Sequence, residues 1–194
     1  IPTFVLGVGL GGLIILNLLE KTELPIEGIL LFSPMLELKR DYKGRKNKLI
    51  SNVGKISKDT RFKVGITPQD LTRNDEIIEE TANDGLMLKK VTYSWYNLIN
   101  EKMKETMDHI RDIKPISALI MYGTNDKILE TQSINEMKDK LKSKEMYFKV
   151  WDGLYHEIHN EPERDLVMRY VLSFLNNSVN TMGFIVNEEE FEDI

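Results

Sequence analysis

Apolar residues in the first part of the chain form short continuous runs separated by one helical pattern. Thr3–Leu6 is a short apolar run and Ile26–Phe32 is a longer one. Between them, Leu13–Leu19 is apolar at the spacing and length of a buried helix. Ser33 and Pro34 end the second run. This order of strand, turn, helix and strand predicts a βαβ unit with parallel strands.

The same alternation returns after Pro115. The pattern predicts a strand at Ser117–Tyr122, an amphipathic helix at Thr131–Leu141, a strand at Met146–Trp151 and a closing helix at Glu163–Leu175. Strands that alternate with helices favour a mostly parallel sheet with helices on its faces. The predicted fold class is therefore α/β.

The segment 36–112 between these two halves has a different character. It begins without periodicity, and helical patterns follow at Asn74–Thr81 and Thr92–Ile110. The second helix is predicted to carry one apolar stripe, formed by Trp95, Leu98, Ile99, Met103, Met107 and Ile110. We therefore divide the chain into core sheet at 1–35, an inserted helical cap at 36–112, core sheet at 113–176 and an acidic tail at 177–194.

Composition narrows the class of protein. The 194 residues are 41% hydrophobic and 29% charged, as in soluble globular proteins, and no apolar run is long enough to span a bilayer. There is no cysteine, which excludes disulfides and thiolate zinc sites. The net charge is −5, yet the basic block Lys39–Lys63 carries ten Lys or Arg against two acids. That block is either a solvated loop or a surface for anions.

Candidate chemistry lies at the ends of the predicted strands. A glycine cluster, Gly7–Gly12, follows the first strand, Asp126 follows the third, and His156 follows the last. A nucleophile, an acid and a histidine occur in this chain order in hydrolases with an α/β sheet. Ordinary alternatives exist, because Asp126 suits a turn and His156 a surface loop. His159 lies close by, but the sequence around His156 favours His156 as the histidine of this set.

Four motifs together resemble the monoacylglycerol lipase and lysophospholipase family of the α/β-hydrolase superfamily. They are Leu6–Gly12, Leu31–Leu36, Tyr122–Ile128, and Gly153–Glu157 with Glu161 after it. The resemblance implies hydrolysis of a lipid ester, such as a monoacylglycerol or lysophospholipid, through a serine acyl-enzyme without metal or cofactor. It assigns the acid to Asp126, the base to His156 and one oxyanion donor to the backbone N–H of Leu10. The apolar stripe then either packs the cap on the body or lines an acyl chain.

The chain departs from this family at the nucleophile. Gly9 stands where the family has serine, and glycine has no atom that can attack an ester. We expect the sequence as written to be inactive as an ester hydrolase. If Gly9 replaces a natural serine, the natural protein is such an enzyme. If Gly9 is natural, the chain is a non-catalytic relative that binds lipid or a protein partner.

The resemblance also implies that strands preceding the glycine elbow are absent from this chain. The exposed edge of the first strand would then be covered by a missing N-terminal half or by a partner. The basic block lies at the start of the cap and is a candidate contact for anionic membranes. A cytoplasmic or peripheral membrane location is favoured. Nucleic acid is not an expected partner, because the block has only two aromatic residues, Tyr42 and Phe62.

Overall fold

A computed structural model describes residues 1–39 and 59–181. The strands among these residues are β1 (Phe4–Val8), β2 (Gly28–Phe32), β3 (Arg61–Phe62), β4 (Val91–Thr92), β5 (Ser117–Gly123) and β6 (Met146–Trp151). Four parallel strands form the central sheet in the order β1-β2-β5-β6, and β3 pairs with β4 in a separate antiparallel pair. The α/β class and the parallel sheet predicted from the sequence are confirmed.

Helices cover both faces of this sheet. They are α1 (Leu10–Leu19), α2 (Pro68–Leu71), α3 (Asp75–Asn83), α4 (Tyr93–His109), α5 (Gln132–Lys140) and α6 (Arg164–Thr181). Successive strand residues point to opposite faces, so Ile29 and Leu31 join the core beneath α1, α4 and α5. Leu30 and Phe32 join the core beneath α6. Two buried faces explain why the strand sequences are continuously apolar.

The cap helix α4 does not bury the predicted stripe along its whole length. Met103 and Ile110 are buried against the body, but Trp95 and Leu98 are 36% and 48% exposed. Tyr93 and Tyr96 are buried in their place. Both tyrosine rings pack on Phe62 of the unpredicted strand β3, with ring centroids 5.5 and 5.4 Å apart. Packing on Phe62 therefore buries the two tyrosines of the first half of α4, while Trp95 and Leu98 stay partly exposed.

The last helix continues beyond the point where the sequence predicted a tail. α6 reaches Thr181, so residues 177–181 belong to this helix. Ser178 is buried, and the amide of Asn177 lies 3.5 Å from the hydroxyl of Tyr147. These contacts with the body extend the helix through residues of low helical propensity. Residues 182–194 of the tail lie outside the described residues, and the other domain boundaries stay predictions.

Strand β1 lies at one edge of the described sheet and pairs there only with β2. Nearby apolar residues are open to solvent: Leu6 on β1, and Ile14 and Leu18 on α1, are between 44% and 58% exposed. The sequence-based expectation that missing sequence or a partner covers this edge stays a prediction. No helix among residues 1–39 and 59–181 is long and apolar enough to cross a membrane.

Candidate active site

The turn between β1 and α1 has the shape of a sharp elbow. Gly9 has φ 51° and ψ −114°, in the left-handed half of the backbone map that strongly favours glycine. Its N–H donates to the carbonyl of Phe32, and its carbonyl accepts from the N–H of Met35, both at 2.9 Å. These two hydrogen bonds hold the elbow against the end of the neighbouring strand β2. Residue 9 therefore lies at the carboxyl end of the parallel strands.

Two of the neighbouring glycines are required by close packing. A Cβ at Gly7 would lie 2.6 Å from the side chain of Ile15, and a Cβ at Gly12 would lie 2.8 Å from Pro34. Gly11 is different, because a Cβ there would meet nothing within 4 Å. Close packing therefore does not require glycine at position 11, which lies on the open side of the helix.

Asp126 lies in the loop that follows β5 and is fully buried. One carboxylate oxygen accepts the backbone N–H groups of Ile128 and Leu129 at 2.8 and 2.9 Å. The other oxygen lies 2.8 Å from Nδ1 of His156. The carboxylate therefore braces its own loop with one oxygen and orients the histidine with the other.

His156 lies in the loop after β6 and is 6% exposed. With Nδ1 directed at Asp126, its other ring nitrogen faces the elbow: a Cβ on Gly9 would lie 2.9 Å from Nε2. The structure thus brings Gly9, Asp126 and His156 together. Their catalytic roles stay predictions.

Leu10, the predicted oxyanion donor, is the first residue of α1. The N–H groups of the first helical turn have no carbonyl within their own helix, and the helix dipole adds partial positive charge there. A backbone N–H in this position suits an oxygen that gains negative charge beside residue 9.

Sequence reasoning missed the residues that brace this site. Ser33 is buried, has φ 43°, and donates from its hydroxyl to the carbonyl of His156 at 2.8 Å. The ammonium of Lys39 donates to the carbonyl of Asp126, so this member of the basic block contacts the acid loop. Residues 40–58 of the block lie outside the described residues. A serine before a proline predicts an extended backbone, so no sequence signal pointed to Ser33.

The remaining histidines differ in their environments. His109 ends α4 and lies 2.9 Å from Asp112, and this hydrogen bond raises the pKa of His109. His159 is close to Phe32, and burial lowers the pKa of His159. Its Nδ1 is buried and has no hydrogen-bond partner among the described residues. Within 1–39 and 59–181, no group of three or more His, Asp or Glu side chains is placed to hold a metal ion.

The site has the parts of an acid–base relay but no side chain at the elbow. A buried carboxylate that accepts from Nδ1 fixes the tautomer in which Nε2 is the free base. Such a nitrogen can remove a proton from a hydroxyl held at residue 9. The family model described as "Serine aminopeptidase, S33" matches residues 1–163. The chain belongs to this family of α/β-hydrolases.

Curated relatives of this family member include lipid hydrolases. Phospholipase YtpA of Bacillus subtilis (strain 168) is 28% identical over 180 residues, which covers 92% of this chain and 70% of the relative. A monoacylglycerol lipase of Mycolicibacterium smegmatis is 35% identical over 57 residues, or 29% of this chain and 20% of that protein.

Solved structures of lipases share the fold of this hydrolase-family chain. The monoacylglycerol lipase of Paleococcus ferrophilus matches with a TM-score of 0.81 at 22% identity, covering 91% of this chain and 69% of its own. A soluble variant of the Saccharomyces cerevisiae monoglyceride lipase, in complex with a substrate analog, matches with a TM-score of 0.80 at 19% identity. The match covers 92% of this chain and 62% of the yeast protein.

Proposed function

We propose that this chain carries the ester-binding and acid–base parts of a lipid ester hydrolase, and that Gly9 leaves it inactive. The expected substrate class is a monoacylglycerol or lysophospholipid. The observation that carries the proposal is the placement of His156, whose Nδ1 lies 2.8 Å from Asp126 and whose Nε2 faces Gly9. The names of the relatives, a phospholipase and a monoacylglycerol lipase, support the lipid substrate.

The chemistry follows from the geometry once a serine stands at position 9. His156 Nε2 takes the hydroxyl proton as the serine oxygen attacks the ester carbonyl, and the carboxylate of Asp126 stabilises the imidazolium that forms. The N–H of Leu10 donates to the oxyanion. The protonated histidine then gives its proton to the leaving alcohol, and water releases the fatty acid by the reverse sequence.

Glycine removes the first step of this sequence. Loss of the nucleophile alone in a serine hydrolase lowers turnover on the order of 10⁶-fold, although binding and the oxyanion donor remain. The His–Asp pair does not need the serine to stay in place, because Asp126 is also held by two backbone N–H groups. An inactive chain can therefore keep an intact pair and a site that binds the ester.

The test is to introduce Gly9→Ser into the full natural protein and to measure hydrolysis of a short-chain nitrophenyl ester, a monoacylglycerol and a lysophospholipid. A Cβ at residue 9 requires the imidazole to withdraw by about 0.5 Å from its present 2.9 Å to reach ordinary contact. We expect hydrolysis that the unsubstituted protein lacks. We also expect a covalent adduct with a fluorophosphonate on residue 9.

The matched control is Gly9→Ala, which brings the same Cβ and backbone strain without the hydroxyl. It should fold like the serine variant and remain inactive. If folded Gly9→Ser protein hydrolyses none of the three esters faster than Gly9→Ala, the proposal is wrong. Separately, the natural transcript at codon 9 shows whether glycine is the native residue at this position.

A second proposed role is contact of the cap with an anionic lipid surface. The loop between α3 and β4 presents Leu86 and Leu88, which are 88% and 77% exposed, next to the exposed Lys89 and Lys90. Exposed leucines beside lysines suit the boundary between headgroups and acyl chains, where each basic residue contributes about 1 kcal/mol. The basic block Lys39–Lys63, with net charge +8, precedes this loop in the cap.

Co-sedimentation with neutral and phosphatidylserine-containing vesicles tests this contact at low and physiological salt. We expect binding to the anionic vesicles that weakens with salt. It should be lost when Lys43, Arg45, Lys46 and Lys48 are reversed to glutamate, and reduced by Leu88→Ser. Equal binding to neutral and anionic vesicles, or unchanged binding after the charge reversal, contradicts the mechanism.

A further inference from the structure

A short segment of the cap, residues 67–73, is bonded directly to the two loops that carry Asp126 and His156. The segment includes helix α2 and the turn after it. Its hydrogen bonds to those loops include Glu157 N–H to the Leu71 carbonyl at 2.8 Å, the Thr72 hydroxyl to the Asn160 carbonyl at 2.9 Å, and Lys127 Nζ to the Gln69 carbonyl at 3.1 Å.

An ion pair lies at the centre of this contact. Glu161 is fully buried, and one carboxylate oxygen accepts from Arg73 through Nε at 2.8 Å and through the backbone N–H at 3.3 Å. The other oxygen accepts the backbone N–H of Tyr155 at 2.7 Å. A second arm of the same guanidinium reaches Glu163. Glu161 therefore connects a cap residue on one side with the residue directly before His156 on the other.

We propose that Arg73 and Glu161 are positioning residues, which hold His156 against Gly9 only while the cap segment 67–73 is docked. The peptide of residue 155 is fixed by the carboxylate of Glu161, and the carbonyl of His156 is fixed by the hydroxyl of Ser33. The histidine backbone is thus held from both sides. The cap contacts it through Glu161 before the histidine and through the Leu71 carbonyl, which accepts from the Glu157 N–H, after it, whereas the bond from Ser33 does not involve the cap. The placement of His156 does not require ester hydrolysis, so this inference stands apart from the proposed function.

Removing the arginine leaves a carboxylate buried without its cation. Such a group either takes up a proton or turns towards water, since an unpaired buried charge is strongly disfavoured. Either response weakens or breaks its bond to the N–H of Tyr155. Arg73→Lys keeps the positive charge but replaces the planar fork by one ammonium on a flexible stem, so it should restore the contact only in part.

The experiment uses nuclear magnetic resonance on the protein with Gly9 in place, and it needs no substrate. Two signals are followed, namely hydrogen exchange of the Tyr155 amide and the imidazole proton between His156 and Asp126. The chain has three histidines, so the imidazole signals can be assigned by single substitutions. Arg73→Met should accelerate exchange at Tyr155 by about ten- to a hundred-fold and weaken the imidazole signal. Arg73→Lys should fall between Arg73→Met and the parent.

Arg111→Met is the matched control, because Arg111 also falls in the predicted cap, 36–112, and is exposed. It should leave both signals unchanged. Amides of β5 measure global unfolding and should accelerate less than the Tyr155 amide in Arg73→Met. If Tyr155 and the imidazole proton are unchanged in Arg73→Met, the proposal is wrong. It is equally wrong if β5 amides accelerate as much as Tyr155, because the pair then contributes only general stability.

Discussion

Replacing Asp126 separates the two tasks of its carboxylate. The side chain is fully buried and accepts three hydrogen bonds, two from the backbone of its own loop and one from His156. Asp126→Ala leaves three buried hydrogen-bond donors without an acceptor, and each of these losses costs about 1–3 kcal/mol. We therefore expect the free energy of unfolding to fall by at least about 3 kcal/mol, a large share of the roughly 5–15 kcal/mol typical of a domain.

Asp126→Asn is the informative partner of this substitution. Its amide oxygen can keep the two backbone donors of Ile128 and Leu129, so only the bond to His156 is disturbed. The amide NH₂ would then face Nδ1, which must become an acceptor and so move the ring proton to Nε2. We expect a loss of about 1–3 kcal/mol. In the Gly9→Ser background, hydrolysis should fall on the order of 10⁴-fold, because the histidine is held in the wrong tautomer.

Urea unfolding followed by circular dichroism measures these differences, provided that the m-value is unchanged between variants. Asp139→Ala is the control, since the Asp139 side chain is 69% exposed. It should change stability by less than about 0.5 kcal/mol. The reasoning is refuted if Asp126→Ala costs less than about 1 kcal/mol, or if it is no more destabilising than Asp126→Asn.

Three further predictions concern Ser33, His159 and His109. Ser33→Ala should cost about 1 kcal/mol in urea unfolding through its lost bond to His156, and Ser33→Gly should cost less because it relieves the strain at φ 43°; the reverse order would contradict this. Burial lowers the pKa of His159, so its protonation favours the unfolded chain and stability falls as pH drops below about 6.5. His159→Leu should therefore shrink the fall in Tm between about pH 8 and about pH 5.5. His109→Gln should enlarge that fall, since the raised pKa of His109 contributes stability below about 6.5 that is lost as pH rises.

The sheet and the order of the site residues could be predicted from local patterns. Continuous apolar runs predicted three of the parallel strands, and an alternating pattern predicted the fourth, Met146–Trp151, with the bounds that the structure has. The glycine cluster and the loops after the strands predicted which residues meet at the carboxyl ends of the parallel strands. All of these signals lie within a few residues of the feature that they predict.

Long-range pairings could not be predicted in this way. The contact of Arg73 with Glu161 joins residues far apart in sequence, and neither residue type differs from an ordinary surface charge when it is read alone. The same holds for α4, where Phe62 of the cap decides which apolar side chains are buried. Periodicity shows that a helix has an apolar face, but tertiary packing selects the residues that use it.

The elbow conformation sets opposite evolutionary pressures on neighbouring members of the site. At φ 51° any side chain carries backbone strain of about 1–3 kcal/mol, which glycine avoids. In a lineage that no longer needs ester hydrolysis, replacement of serine by glycine at position 9 would therefore be a gain in folding stability. No substitution at Asp126 offers such a gain, because the backbone N–H groups of Ile128 and Leu129 need one side-chain oxygen there and His156 needs the other. Drift would erase the nucleophile early and the acid late, so an acid–histidine pair can persist for generations after catalysis has ended.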